Sequence, residues 1–319
     1  MYKRQIVGRS FTPRQLQGVL DSVETICTEV IDGFCEQGDV DFVEAFAQPF
    51  PLLIICDMMG IPRSEFDTVL RCTNVILGGF DPEYVGEGDV MEVLLGAAME
   101  LVGLMTTLVA ERQEDPRDDL TTKLIHSELG EDLMTPEEVA SFFILLAVAG
   151  NDTTRTAMTH GMNLLHQNPD QRRIWQDDVD GVTDTAVEEI VRMASPVTFM
   201  RRTATGDHTV SSHQFREGDK VVMFYGAANR DPREFPDPMQ FDVRRDPNNH
   251  VGFGGPGPHF CLGAHLARRE ISVAFRQLFD RLPDIEVTGD AVHIESAGIP
   301  LVGGIKRLPV RFSPTAASA

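Results

Sequence analysis

The sequence predicts a mainly α chain with small β-sheets, an α+β fold built as a single domain over residues 1–319. Three observations predict it. Residues 12–195 carry helical patterning with few strand signals. From Val197 the texture changes to short β-like pieces, and a glycine-rich loop then leads straight into one more long helix. A chain of 319 residues with 42% hydrophobic content can bury one large core or two smaller ones.

The elements follow in order. Thr12-Pro13 opens the first helix. Another, rich in leucine and methionine, covers about 89–112, and ERQEDPRDD at 111–119 is a charged, proline-broken connection. Thr135-Pro136-Glu137-Glu138 is a strong helix start, with Thr135 as N-cap, proline in the first turn and Glu138 three residues on. The helix it opens runs to about His166, a length that implies a central position. Asn168-Pro169 restarts a helix, and another covers about 184–194. Short strands are expected at 197–202, 208–210 and 221–224. A proline-rich meander fills 229–249, a final helix spans about 262–282, and a short β tail closes the chain. There are no repeats, low-complexity segments or linkers.

Charge narrows the partners. Forty-nine acidic residues against 28 basic ones give a net charge of −21, which repels nucleic-acid phosphates and anionic lipid surfaces. The longest uninterrupted apolar run, 142–149, is too short to span a bilayer, and the start MYKRQIVGRS has no apolar core of signal-peptide length. The expectation is a cytoplasmic protein with no membrane span. Five cysteines stand at Cys27, Cys35, Cys56, Cys72 and Cys261. Their odd count and lack of CxxC spacing indicate neither a disulfide framework nor a zinc site. The first four sit in apolar or helical contexts and read as ordinary core or surface residues.

Cys261 differs, because it stands in the loop Phe253-Gly254-Gly255-Pro256-Gly257-Pro258-His259-Phe260-Cys261-Leu262-Gly263, just before a helix. A thiolate there meets the backbone N–H groups of a helix N-terminus, and glycines let the backbone approach a flat ligand. A glycine-rich turn with a buried cysteine fits the loop equally well. Inside the long helix, Ala149-Gly150-Asn151-Asp152-Thr153-Thr154 is a poor choice for helix stability. Its hydroxyls can bond back to carbonyls one turn earlier and open the helix locally, making room for a water beside a reacting centre. An acidic exposed face is the plainer alternative. Glu189 and Arg192, three apart, share a helix face and can pair. Alone that ExxR is weak; its weight comes from standing between the Asp152 segment and the meander that carries Arg245.

In that order and spacing the motifs resemble the cytochrome P-450 superfamily over nearly the whole chain. AVEEIVRMASPVTFMRR, ANRDPREFPDP and CLGAHLARR read as bacterial members. GNDTTR, ASPV-x-x-MRRT and GFGG-x-G-x-HFCLGA-x-LARRE are similar to the branch that oxidises methyl-branched fatty acids, steroid side chains and related terpenoids. The resemblance implies haem b as cofactor, with Cys261 as its iron ligand. It implies a monooxygenase that inserts one oxygen atom from dioxygen into an unactivated C–H bond of a small apolar, lipid-like substrate. Asp152 and Thr153 would be the acid–alcohol pair that delivers protons during dioxygen activation. Glu189, Arg192 and Arg245 would form a buried structural charge cluster. His259, Arg201 and Arg4 match positions that bind haem propionates, while Phe253 and Gly263 belong to the cofactor loop. Substrate-facing positions would be Leu146 and Ala149, Val197, Thr198 and Phe199, and the tail segment 298–301 that contains Ile299. Those positions also suit plain core packing.

The electron supply would come from a separate ferredoxin and ferredoxin reductase, since the chain has no flavin fingerprint or ferredoxin-type cysteine cluster. Arg268, Arg269, Arg276 and Arg281 after Cys261 would suit an acidic ferredoxin, although an ordinary solvated helix face reads the same. Two departures from the family stand out. The chain begins where family members have already built their first elements, so about the first quarter is expected to be missing. That leaves an inactive haem-binding remnant as the alternative function. Phe253 also lies eight residues before Cys261, one more than the commonest pattern, and a wider loop is expected.

Overall fold

The computed structural model describes residues 8, 11, 17–78, 81–86, 89–126, 134–295 and 300–318. Its first part runs α1 (Gln17–Asp32), β1 (Asp39–Asp41), a π-helical turn (Val43–Ala47), α2 (Pro49–Met59), α3 (Phe66–Leu77), α4 (Pro82–Val85), α5 (Val90–Glu114), α6 (Leu120–Ile125), α7 (Pro136–Gln167), α8 (Pro169–Asp177) and α9 (Val179–Ala194). The second runs β2 (Phe199–Thr203), β3 (His208–Val210), β4 (His213–Phe215), β5 (Lys220–Phe224), α10 (Tyr225–Ala228), α11 (Ala264–Arg281), β6 (Glu286–Val287), β7 (Val292–His293), β8 (Ile305–Arg307) and β9 (Pro309–Arg311).

α7 organises the rest. The Thr135 hydroxyl accepts the Glu138 N–H at 3.3 Å, and the Glu138 carboxylate accepts the Thr135 N–H at 3.2 Å, closing the expected capping box. Its 32 residues rise about 48 Å, long enough to cross the molecule. Two apolar clusters use its two ends. Val139, Phe143 and Ala147 pack with Leu52, Met59 and Leu101. Met158, Met162 and Leu165 pack with Phe46, Trp175 and Phe275. The helix changes cluster at residues 149–154, the stretch whose sequence is least suited to a helix. There the Thr153 hydroxyl bonds back to the Ala149 carbonyl at 2.7 Å, but the helix runs on without the expected opening.

Small antiparallel sheets trim the helices. β9 lies between β1 and β6, β2 pairs with β5, β3 with β4, and β7 with β8. β1 falls in the part expected to be helical. Its sequence, Asp-Val-Asp, sets one strand-favouring valine between two strand-poor aspartates, and pairing with β9 makes it a strand. The Asp41 carboxylate accepts the N–H groups of Val43, Glu44 and Leu308 at 2.9, 3.1 and 2.9 Å. α9 starts five residues earlier than expected, because the Asp178 side chain caps the Gly181 N–H at 3.0 Å and carries the helix over that glycine.

α5 corrects the reading of apolar runs. Glu92 and Glu100 interrupt its string of apolar residues, which hid it from a run count. It is nevertheless the one helix among the described residues long and apolar enough to cross a membrane. Ala97, Leu101, Met105 and Leu108 are buried against α3 and α7, whereas Met91, Leu95 and Met99 are exposed.

Candidate active site

A cavity of about 760 Å³ opens between α7 and the loop that carries Cys261, within the roughly 300–1,000 Å³ of small-molecule sites. Phe142, Leu146, Ala149 and Thr153, spaced four, three and four apart, present one stripe of α7 to it. Facing them are Phe253, Gly254, His259, Cys261 and Gly263. Val197 joins from the chain before β2. The wall is overwhelmingly apolar.

Two glycines of the loop take up backbone conformations that other residues rarely adopt. Gly254 and Gly257 adopt φ of 86° and 132°. The turn is fastened when the Cys261 N–H donates to the Phe253 carbonyl at 2.9 Å, and Phe260 N–H to Gly257 at 3.1 Å. Cys261 is exposed, whereas Cys27, Cys35, Cys56 and Cys72 are all buried. Burial pushes the Cys56 thiol up to about 12 and the Cys72 thiol up to about 11, and raises Cys27 further still, so those groups stay protonated. The one cysteine open to the cavity is Cys261. That rules out the turn with a buried cysteine.

Asp152 and Thr153 divide between two environments. Thr153 faces the cavity. Asp152 is turned into the protein and pairs with Arg155 at 2.5 Å, both side chains being buried. Burial pushes the Asp152 carboxyl up, and the Arg155 guanidinium opposes that shift. Arg155 also donates to Gln48 and Asn74, each at 3.4 Å.

Glu189, Arg192 and Arg245 come together. Glu189 receives the Arg192 guanidinium at 2.7 and 2.8 Å and Arg245 Nε at 3.2 Å. Arg192 then donates to the carbonyls of Asn229, Pro238 and Gln240, and Arg245 to those of Pro236, Asp237 and Gln240. The meander is thus tied to α9 beside the cysteine loop.

Other expected site residues lie elsewhere. Arg201 is exposed and outside the cavity. Strand alternation sets it opposite Met200, a cavity residue, and puts half-buried Arg202 on Met200's face. Thr198 bonds to the Pro300 carbonyl, and Phe199 packs on Phe224 at 6.1 Å; neither lines the cavity. Arg4 and Ile299 lie outside the described residues. The four arginines of α11 are not free cations either. Arg268 pairs with Glu188, Arg269 with Glu24, Arg276 with Asp180 and Arg281 with Asp32. The local excess of positive charge is neutralised within the chain.

Glu270 is a charged cavity residue that was not among the expected site residues. Glu270 on α11 is 3% exposed, and burial pushes its carboxyl well above the usual range while Thr154 opposes the shift by a hydrogen bond. In sequence it reads as a counter-charge to Arg268 and Arg269. Its spacing of four from Leu266 was the available signal, since both lie on the buried stripe.

The family model for cytochrome P-450 matches residues 89–283, more than half the chain. The chain belongs to the cytochrome P-450 family. Among relatives, this P-450 is 44% identical over 313 residues to a methyl-branched lipid omega-hydroxylase of Mycobacterium tuberculosis, covering 97% of this chain and 72% of the relative. It is 36% identical to a steroid C26-monooxygenase of Mycolicibacterium smegmatis, covering 97% and 70%. A Mycobacterium marinum cytochrome P-450 solved with pseudoionone superposes with a TM-score of 0.91 at 40% identity, covering 97% of this chain and 74% of that one. The fold is therefore the P-450 fold, and the family's chemistry is haem-dependent monooxygenation.

The family's cofactor is haem b, and the residues here fit it. An exposed thiol faces an apolar cavity, and a Cβ added at Gly255 or Gly263 would meet nothing within 4 Å, so the loop leaves open space for a flat group.

Proposed function

We propose that this P-450 hydroxylates an unactivated C–H bond of a lipid-like substrate, a fatty acid, steroid or terpenoid, as one monooxygenase domain over residues 1–319. The observation that carries the reading is the apolar cavity that brings the Cys261 thiol and the Thr153 hydroxyl to facing walls. In this reading Cys261 is the residue whose thiolate would hold the haem iron. Bound haem b supplies the redox-active iron at which dioxygen is activated, and a thiolate ligand donates electron density to it.

The chain's own residues supply position and protons. Thr153 holds a hydroxyl in the cavity, and Asp152, one residue away and outside it, is the acid that replenishes protons; its buried pair with Arg155 supports a guarded carboxylate. Glu189, Arg192 and Arg245 lock the meander. His259 serves a propionate; Arg202 is better disposed for that role than Arg201, because it shares Met200's face. Leu146, Ala149 and Val197 are the substrate contacts supported by the cavity wall, which excludes water and suits an alkyl chain.

A soluble ferredoxin and its reductase supply the electrons, in keeping with the absence of a flavin fingerprint from the sequence, and the cytoplasm is the compartment. The test is a titration of the haem-loaded protein with fatty acids, sterols and terpenoids. A spin-state shift with one lipid class, and none with polar compounds of equal size, is expected; no shift with any lipid overturns the substrate class. Thr153→Ala is expected to uncouple oxygen consumption from product by about 10²-fold, the low end of general acid–base effects, without changing the spectrum.

A further inference from the structure

Arg268 makes both a carboxylate and an aromatic contact. Its guanidinium binds the Glu188 carboxylate through Nε and, at 2.9 Å, through a terminal nitrogen. The same guanidinium lies over the Phe253 ring, 4.3 Å from the centroid. His250 completes the arrangement: its ring is 5.9 Å from the Phe253 ring, and its Nε2 is 2.8 Å from Glu188. The Gly252 N–H donates to His250 Nδ1 at 3.0 Å, which makes Nδ1 the acceptor and leaves Nε2–H to donate to Glu188. Phe253 is the residue whose carbonyl takes the Cys261 N–H.

We propose that Glu188, Arg268 and His250 form a clamp that positions Phe253 and, through its carbonyl, the Cys261 loop. Arg268 is then a positioning residue for the sulfur and not a docking cation. The inference rests on Cys261 being the iron ligand. Consecutive residues on a helix point about 100° apart, so α9 uses Glu189 to hold the meander and Glu188 to hold the cysteine loop. The polar groups around a metal-bound sulfur set its electron donation, so a loop that wanders changes the ligand's spectrum and not only the fold. Arginine suits the task because its planar fork grips a carboxylate at two points while its face stacks on an aromatic ring; lysine keeps the charge but offers only a point contact and no planar face.

The test uses Arg268→Met, Arg268→Lys and Glu188→Gln in the full chain with no redox partner present. In the haem-free protein, exchange of the Cys261 amide hydrogen is expected to quicken about tenfold in Arg268→Met, the scale of a partly desolvated cation–π contact. In the haem-loaded, reduced protein with carbon monoxide, part of the thiolate-type Soret band is expected to be lost, with Arg268→Lys intermediate. Wild-type exchange and a wild-type band in Arg268→Met overturn the clamp. If Arg268→Met does not fold, Glu188→Gln decides by the same two readouts. A wild-type protein that shows no thiolate band refutes the ligand assignment instead, while amide exchange still reports whether Arg268 orders the loop.

Discussion

At Glu189 one carboxylate serves two guanidinium groups, the Asn248 side chain at 3.0 Å and the Asp242 N–H at 3.0 Å. Removing its charge leaves Arg192 buried and unbalanced. Glu189→Gln is therefore expected to cost about 3–5 kcal/mol, read as a lowered denaturant midpoint with haem loss in the same transition. Its neighbour Glu188 behaves differently. Burial pushes its carboxyl up, but the hydrogen bonds from His250 and Arg268 prevail and hold it at about 2, below its ordinary 4.5. The ionised form thus stabilises the fold fully above pH 4.5, and that contribution is lost as pH falls from 4.5 toward 2. A Glu188→Gln protein is expected to lose less stability across that window than wild type in acid titrations followed by circular dichroism. An equal slope would show that the pair contributes nothing. Single residues were only partly legible in the sequence. The cavity position of Cys261 and Thr153 and the pairing of Glu189 with Arg192 and Arg245 were, because motif order marks those residues. Arg201 and Arg202 were not separable, since they are adjacent and only the strand's pleat decides which one shares the cavity face.

The elements were legible where local chemistry governs them. α7 shows both the start and the approximate end that Thr135, Glu138 and Asn168 announce. Thr135→Ala is expected to cost about 1 kcal/mol by removing the cap, visible as a lower melting temperature with an unchanged carbon monoxide spectrum. Where tertiary bonds govern, the sequence misled. β1 exists because Asp41 and Leu308 meet, and α9 crosses Gly181 because Asp178 caps it. The expected opening in α7 did not form either: one hydroxyl-to-carbonyl bond is a small perturbation in a helix packed on both sides of that point.

At the scale of the molecule, the mainly α architecture follows from where apolar periodicity runs long, and the cavity follows from α7 changing clusters midway. Net charge was a poorer guide. The basic stretch on α11 looked like a docking face, yet each arginine had an acidic partner distant in sequence that only folding brings near. The same limit hid Glu270, which folding buries beside Thr154 of α7. All of these features converge on one thiol facing an apolar cavity. The measurement that tests this most directly is the absorption spectrum of the haem-loaded, dithionite-reduced protein under carbon monoxide. A red-shifted thiolate-type Soret band that disappears in Cys261→Ala is the expected result. A histidine-type band in the wild type, or a thiolate-type band that survives Cys261→Ala, would contradict it.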